Sequence, residues 1–315
     1  MAILYLAITL LALASPLVKW LIVEGPNLGL EREAISFCNV LFVGNLLGGI
    51  VSAVTFGPRK IQADLKQASR GTWGLLFVNV LLAAAIPTLI FTALASTTIT
   101  NLILIGRFES VAFAVLAALF GVSALTKSQA AGYAIISVGV IALVLVIGMG
   151  SLKAGDYMIL CAALLQAVAA LLVRRLLNGL HWGTFVFARN FFSAIVFFTI
   201  AVLHFGPIHF ADAFGGKLWM VMLVYAFVVV VIGQAAWYSA LEKCTPSQVA
   251  SASLLTPFLA VGFAYLLLGE VPQKEHWIGG SIIVAGMVLV YRGGRGSKET
   301  AVQPTGCAES TLAGA

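Results

Sequence analysis

A constant shift of 147 residues lays residues 240–290 over residues 93–143 without a gap. Ala240 and Leu241 fall on Ala93 and Leu94, Leu266 on Leu119, Gly279 on Gly132, Ile282 and Ile283 on Ile135 and Ile136, and Gly286 on Gly139. Each copy holds two apolar runs. In the second they are split by the polar bend Gly269-Glu270-Val271-Pro272-Gln273-Lys274-Glu275. A repeat constrains architecture before any local propensity does, because one unit must then pack against its own copy. The chain reads as a first unit over residues 1–150, a second over 151–292, and a tail over 293–315.

What such a unit can be depends on its solvent. Of 315 residues, 61% are hydrophobic and 10% charged, against about 25% charged in a water-soluble domain. A surface built from this composition needs lipid around it. A spanning helix takes about 20 apolar residues, and ten runs qualify. They are 3–23, 34–56, 73–95, 98–121 and 129–148 in the first unit, and 154–176, 183–203, 218–241, 247–269 and 275–292 in the second. Backbone polar groups must be satisfied within the segment inside lipid, so runs of this length are helices. The expected fold is an all-α integral membrane protein with ten transmembrane helices. Connections are short except 57–72, which is polar and basic. The tail is rich in Gly, Ser, Thr and Ala and reads as disordered. The first run continues through Val23 with no basic residue ahead of it, and reads as a helix rather than a cleaved signal segment.

The net charge is +6, yet the basic residues stand singly at the ends of apolar runs. That pattern is unlike the clustered stripe of a nucleic-acid-binding protein. It suits membrane topology: with a cytoplasmic N-terminus, eleven Lys and Arg fall inside and five outside. The asymmetry predicts both termini in the cytoplasm and residence in the cytoplasmic (inner) membrane. Five helices per unit is an odd number, so the second unit enters from the opposite side. Two inverted five-helix repeats result, an arrangement that puts a substrate site near the midplane between them. Cys38, Cys161, Cys244 and Cys307 lack metal-ligand spacing, and no cofactor or metal is expected.

Thr256-Pro257 within the ninth run, Leu268-Gly269-Glu270 at its end, and Gly279 and Gly286 seven residues apart carry a family resemblance. They resemble the last two helices of the drug/metabolite transporter superfamily, closest to its ten-helix, EamA-like branch. The resemblance covers roughly residues 1–292 and implies the same inverted-repeat fold and an exporter's role. The first half departs from the pattern. Ser123 stands where Glu270 stands in the second, and Ser110 where Pro257 stands, so the bend glutamate has no symmetric partner.

Charges in mid-membrane are the candidate functional residues. Arg107 and Glu109 sit about ten residues inside their run, roughly 15 Å deep at 1.5 Å per residue. An ionisable group there costs at least about 2.5 kcal/mol, so it faces a wet cavity or a partner. Either the two residues serve a substrate site or they are structural charges that fix helix packing. Residues two apart on a helix point about 200° apart and cannot pair directly. One is expected to face the cavity and the other a neighbouring helix, with Gly106 leaving room for close approach or a local break. Arg189, about six residues into its run, either snorkels to the cytoplasmic edge or reaches Glu109. The second unit answers positions 107 and 109 with Leu254 and Thr256, so its side of the site offers the hydroxyls of Ser251, Ser253 and Thr256. Gln234 lies deep and needs a partner. Trp237 and Tyr238 read as an aromatic belt or as a stacking wall for an organic substrate.

The remaining features have structural readings. Asn39, Asn45, Asn79, Asn101 and Gln166 read as interhelical hydrogen-bond glue. The pairs Gly44/Gly48, Gly132/Gly139 and Gly279/Gly286 read as close helix contacts, and Pro87 and Pro257 as kinks. His181, His204, His209 and His276 read as interfacial residues.

Motifs for catalysis are absent from the sequence, so no enzymatic activity is expected. The leading reading is a secondary transporter of a small organic metabolite such as an amino acid, purine or carboxylate, working by alternating access. The mixed Arg/Glu site suits an amphoteric or anionic solute, and Glu109 is the candidate for coupling to a proton. The rival class is a polytopic membrane protein without transport: a sensor, an assembly factor or an intramembrane enzyme. It is disfavoured because neither a catalytic pair nor a soluble output domain is visible. The oligomeric state is open, a homodimer included.

Overall fold

The structure, a computed structural model, describes residues 2–28, 37–121, 125–148, 153–177, 179–206, 216–233, 236, 240, 252 and 255–296. Its elements are helices. They are α1 (Ala2–Glu24), α2 (Phe37–Phe56), α3 (Pro58–Gln67), α4 (Arg70–Leu94), α5 (Ile99–Ile105) and α6 (Phe108–Leu119). There follow α7 (Lys127–Gly148), α8 (Ala154–Leu176), α9 (Trp182–Phe205), α10 (Gly216–Tyr225), α11 (Thr256–Leu268) and α12 (Lys274–Gly296). A 3-10 turn, Gly25–Leu28, ends α1, and α10 runs on as a π-helical stretch over Ala226–Gly233.

Each of the ten apolar runs carries described helix. Among the described residues, seven helices are long and apolar enough to cross a membrane, with α5 and α6 counted as one span of 21 residues. The helix α2 qualifies only together with α3, and the described parts of α10 and α11 are shorter. Large apolar side chains face outward: Val54 is 77% exposed, Leu119 75%, Leu203 81% and Leu266 74%. Water would not tolerate that surface and lipid does, so the chain is an integral membrane protein.

Two local features depart from the simplest sequence reading. Residues 57–72 hold a helix where a polar connection is expected. Gly57, at φ 83°, turns the chain, Pro58 opens α3 in its first turn, and α3 leaves α2 at 98°. Ile61 and Leu65, one turn apart, face inward while Arg59, Lys60 and Lys66 are exposed, so burial of one stripe is enough to fold it. The run 98–121 is broken at Gly106-Arg107 into α5 and α6. Pro257 falls in the first turn of the described part of α11, with residues 253–254 just before it outside the described residues. Pro87 is inside α4, as is Pro16 inside α1.

The most extensive helix contact is α7 on α12, followed by α2 on α9 and α4 on α8. Glycines allow the first. A Cβ on Gly132 would lie 2.7 Å from the Gly286 carbonyl oxygen, one on Gly139 2.8 Å from Ile283, and one on Gly279 would run into the Leu143 side chain. Successive contacts climb α7 while descending α12, so the two run antiparallel. The helices α2 and α9 do the same, with Gly48 against Asn190 and Gly183 against Phe56. At the centre α5 has all seven residues buried. It packs against α1, α4, α7, α8, α11 and α12.

Candidate functional site

The break after α5 explains how two opposite charges stand in the middle of a span. Gly106 ends α5, and a Cβ there would lie 2.5 Å from the Leu102 carbonyl oxygen. A tight turn follows, with Arg107 N–H donating to Leu104 O at 3.2 Å and Glu109 N–H to Gly106 O at 3.0 Å. Arg107 therefore sits just past the carbonyl end of α5, and its Nε donates to Ile103 O at 3.4 Å. Glu109 lies in the first turn of α6, where free N–H groups favour an anion. The helix ends thus stabilise each charge separately. Both side chains are half-buried, and no ion pair joins them.

The other candidates are dispersed. Arg189 is half-buried on α9, which packs against α2, α3 and α4. No Arg189–Glu109 ion pair forms, because α9 approaches α2 and not α6 at this level, with Gly48 and Gly49 against Asn190 and Phe191. Thr256 opens α11 and is half-buried. Gln234, Trp237, Tyr238 and Ser253 lie outside the described residues, as does Ser251. Among the amides, Asn45 Nδ2 donates to Leu41 O of its own helix rather than across to another. Asn79 Oδ1 in α4 and Ser193 Oγ in α9 are buried without a hydrogen-bond partner, which is uncommon for polar atoms at mid-span.

The strongest polar constellation lies at the other end of α5. Glu270 reaches across from the α11–α12 bend. Its Oε2 accepts from Ile99 N–H at 3.0 Å, and its Oε1 from Thr100 N–H and the Thr100 hydroxyl at 2.9 Å each. Lys19 Nζ of α1 stands 3.7 Å from Glu270 Oε2 and donates to Thr97 O. Asp156 Oδ1, near the start of α8, accepts from the Thr97 hydroxyl at 2.7 Å and from Asn101 Nδ2 at 3.1 Å. His276 Nδ1 accepts from Gln273 N–H at 2.9 Å, so its Nε2 is the donor to Asn101 Oδ1 at 2.7 Å. His276 is thus a buried structural residue, 7% exposed, and not the interfacial one its neighbour Trp277 suggests.

Local sequence places each member of this layer. Gly269 takes a left-handed conformation, φ 63° and ψ 18°, and ends α11. Its N–H and that of Glu270 return to Tyr265 O and Ala264 O at 3.0 and 3.3 Å, the glycine-terminated turn that closes helices. That turn aims Glu270 back over the bundle. Thr98 caps α5 through Asn101 N–H at 3.1 Å, which leaves the N–H groups of Ile99 and Thr100 for Glu270. The sequence marked Glu270 only as a bend residue without a symmetric partner. Asp156, two residues into an apolar run, was the remaining signal.

Residues 153–292 match the EamA-like transporter family. An uncharacterized transporter of Synechocystis sp. is 35% identical over 297 residues, which is 91% of this chain and 85% of that protein. The chain belongs to the EamA-like transporter family. An uncharacterized protein of Pseudomonas aeruginosa is 33% identical over 141 residues, 40% of this chain and 48% of its own. A crystal structure at 15% identity superposes with a TM-score of 0.62, covering 95% of this chain and 99% of the other. At that identity the likeness speaks for the fold alone. Family membership and the lipid-facing surface make the chain a membrane transporter, with a small solute and the bilayer as its partners.

Proposed function

We propose that the protein is a ten-span secondary transporter of a small amphoteric or anionic organic solute, built from inverted units over residues 1–150 and 151–292. It exports that solute across the cytoplasmic membrane by alternating access, with both termini cytoplasmic. The observation that carries this reading is how the helices exchange under the repeat. The fifth and tenth runs, α7 and α12, meet each other antiparallel, as do the second and seventh, α2 and α9. The contact of α4 with α8 is answered by the π-helical stretch on α1, and that of α6 with α8 by α11 on α1. A two-fold axis lying in the membrane plane generates this pattern, and inverted-repeat transporters place their site beside that axis.

Arg107 and Glu109 are the groups assigned to the solute, at the broken centre of the fourth span. Discontinuous helices in transporters present such ends to charged substrates. The partnerless Asn79 Oδ1 and Ser193 Oγ are further polar atoms at similar depth. The deciding experiment is counterflow in proteoliposomes with amino acids, purines and small carboxylates. Exchange of one class by the wild type, lost in Arg107→Leu or Glu109→Gln, supports the reading. Equal exchange by all three proteins refutes the assigned site, and no exchange of any class refutes the solute assignment.

A further inference from the structure

The span that carries Arg107 and Glu109 begins at α5, and the first two N–H groups of α5 are held by a carboxylate 171 and 170 residues away in sequence. That carboxylate belongs to the second unit, and its ion-pair partner, Lys19, to the first. The pair is mostly enclosed, with Lys19 15% and Glu270 13% exposed. Beneath it lie Thr97, Thr100, Asn101 and Asp156, all buried. The layer thus ties α1, α5, α8, the α11–α12 bend and the start of α12 across one end of the bundle.

The repeat does not reproduce this tie at the opposite end. The 147-residue shift puts Ser123 where Glu270 stands, which removes the carboxylate. It also puts Pro246 where Ile99 stands, and proline has no N–H to donate. The carboxylate is lost with one of its three donors, while Ser247 falls on Thr100 and keeps an N–H and a hydroxyl. With no carboxylate at position 123 to accept them, the repeat does not reproduce this closure at the other end.

We propose that Lys19 and Glu270, seated on the first turn of α5, form a one-sided latch that closes the transport pathway at this end and makes that closed arrangement the resting state. The proposal rests on the transport reading above. The basic-residue count puts this end outside, since Lys19, Lys153 and Lys274 are three of the five outer basic residues. Opening outward requires the ion pair, two backbone hydrogen bonds and one hydroxyl bond to break together, which releases the site-bearing span from the second unit. A state held by contacts absent from its alternative is favoured by the difference between them. Glu270 is accordingly a positioning residue for Arg107 and Glu109, which it does not touch.

The test measures the latch without any solute. Spin labels are placed at Val23→Cys, at the end of α1, and Trp277→Cys, at the start of α12, in a background lacking the native cysteines. Both positions are exposed, 50% and 66%. In reconstituted full-length protein, pulsed dipolar spectroscopy is expected to read one narrow distance. Lys19→Met and Glu270→Gln are each expected to add a second, longer population, and Thr100→Val a smaller one. Lys19→Met leaves the helix cap in place, so it carries the test if Glu270→Gln fails to fold. Unchanged distributions in the variants that fold overturn the latch. Failure of the transport reading would appear separately, as absent counterflow in a wild type whose latch variants still open.

Discussion

Gly132 and Gly286 meet backbone to backbone: a Cβ built on either would lie 2.7 Å from the carbonyl oxygen of the other. The reciprocity follows from antiparallel packing of two helices with one shared pattern. It joins α7 to α12, and no side chain fits between the two glycines. Gly132→Leu and Gly286→Leu are each expected to destabilise the folded protein by about 1–3 kcal/mol through overpacking. Gly74→Ala in α4, where a Cβ meets nothing within 4 Å, is expected to be neutral or slightly stabilising. Thermal unfolding in one detergent, followed by intrinsic tryptophan fluorescence, compares the three.

Asp156 is the shared acceptor of Thr97 and Asn101. Asp156→Ala strands the buried Thr97 hydroxyl hydrogen, at a cost of about 1–3 kcal/mol, and takes one of two acceptors from Asn101 Nδ2, which still donates to Thr97 Oγ1. Asp156→Asn keeps an acceptor oxygen and is expected to lose less. An unfolding midpoint for Asp156→Ala at or above that of Asp156→Asn would show that the network is not held as described.

Arg107→Leu and Glu109→Gln are expected to lose transport while eluting as folded, membrane-inserted protein. Each charge rests on its own helix end and is favoured by the other across the turn without a direct ion pair, so either variant keeps the helix-end contact of the remaining charge. A variant that aggregates in detergent would mark its residue as structural.

Glu109 and Arg189 form no ion pair. The double variant Glu109→Gln/Arg189→Gln is expected to show the sum of the single stability changes within about 0.5 kcal/mol, as independent sites do. A coupling of about 1 kcal/mol or more would mean that the two meet in another state of the transport cycle.

Topology has a direct test in the tail. Cys307, as the single cysteine, is expected to resist a membrane-impermeant thiol reagent in intact cells and to react once the membrane is opened. Rapid labelling from outside would reverse the orientation argued from the basic residues.

Much of the architecture could be read in advance, for particular reasons. The run lengths mark helices because lipid leaves the backbone no other way to satisfy itself. The glycines seven apart mark close helix contacts because only small residues let helices touch there, and the structure pairs α7 with α12. Gly106 marked the break, since a side chain at that position would meet the Leu102 carbonyl. The helix α3 was missed because its inward stripe is only two or three residues wide in an otherwise charged segment.

The polar layer is where sequence stops. Lipid as solvent, the gapless 147-residue repeat and the mid-span charges of α5 and α6 follow from composition and spacing, because each is a property of neighbouring residues or of a fixed shift. That Glu270 caps a helix 170 residues away, that His276 is buried on Asn101, and that Arg189 stays apart from Glu109 are set by which helices touch. Lys19, Thr97, Asp156, Glu270 and His276 come from five separate places in the chain, and no periodicity links them. Only packing converts a bend glutamate into the group that caps α5 and pairs with Lys19 of α1.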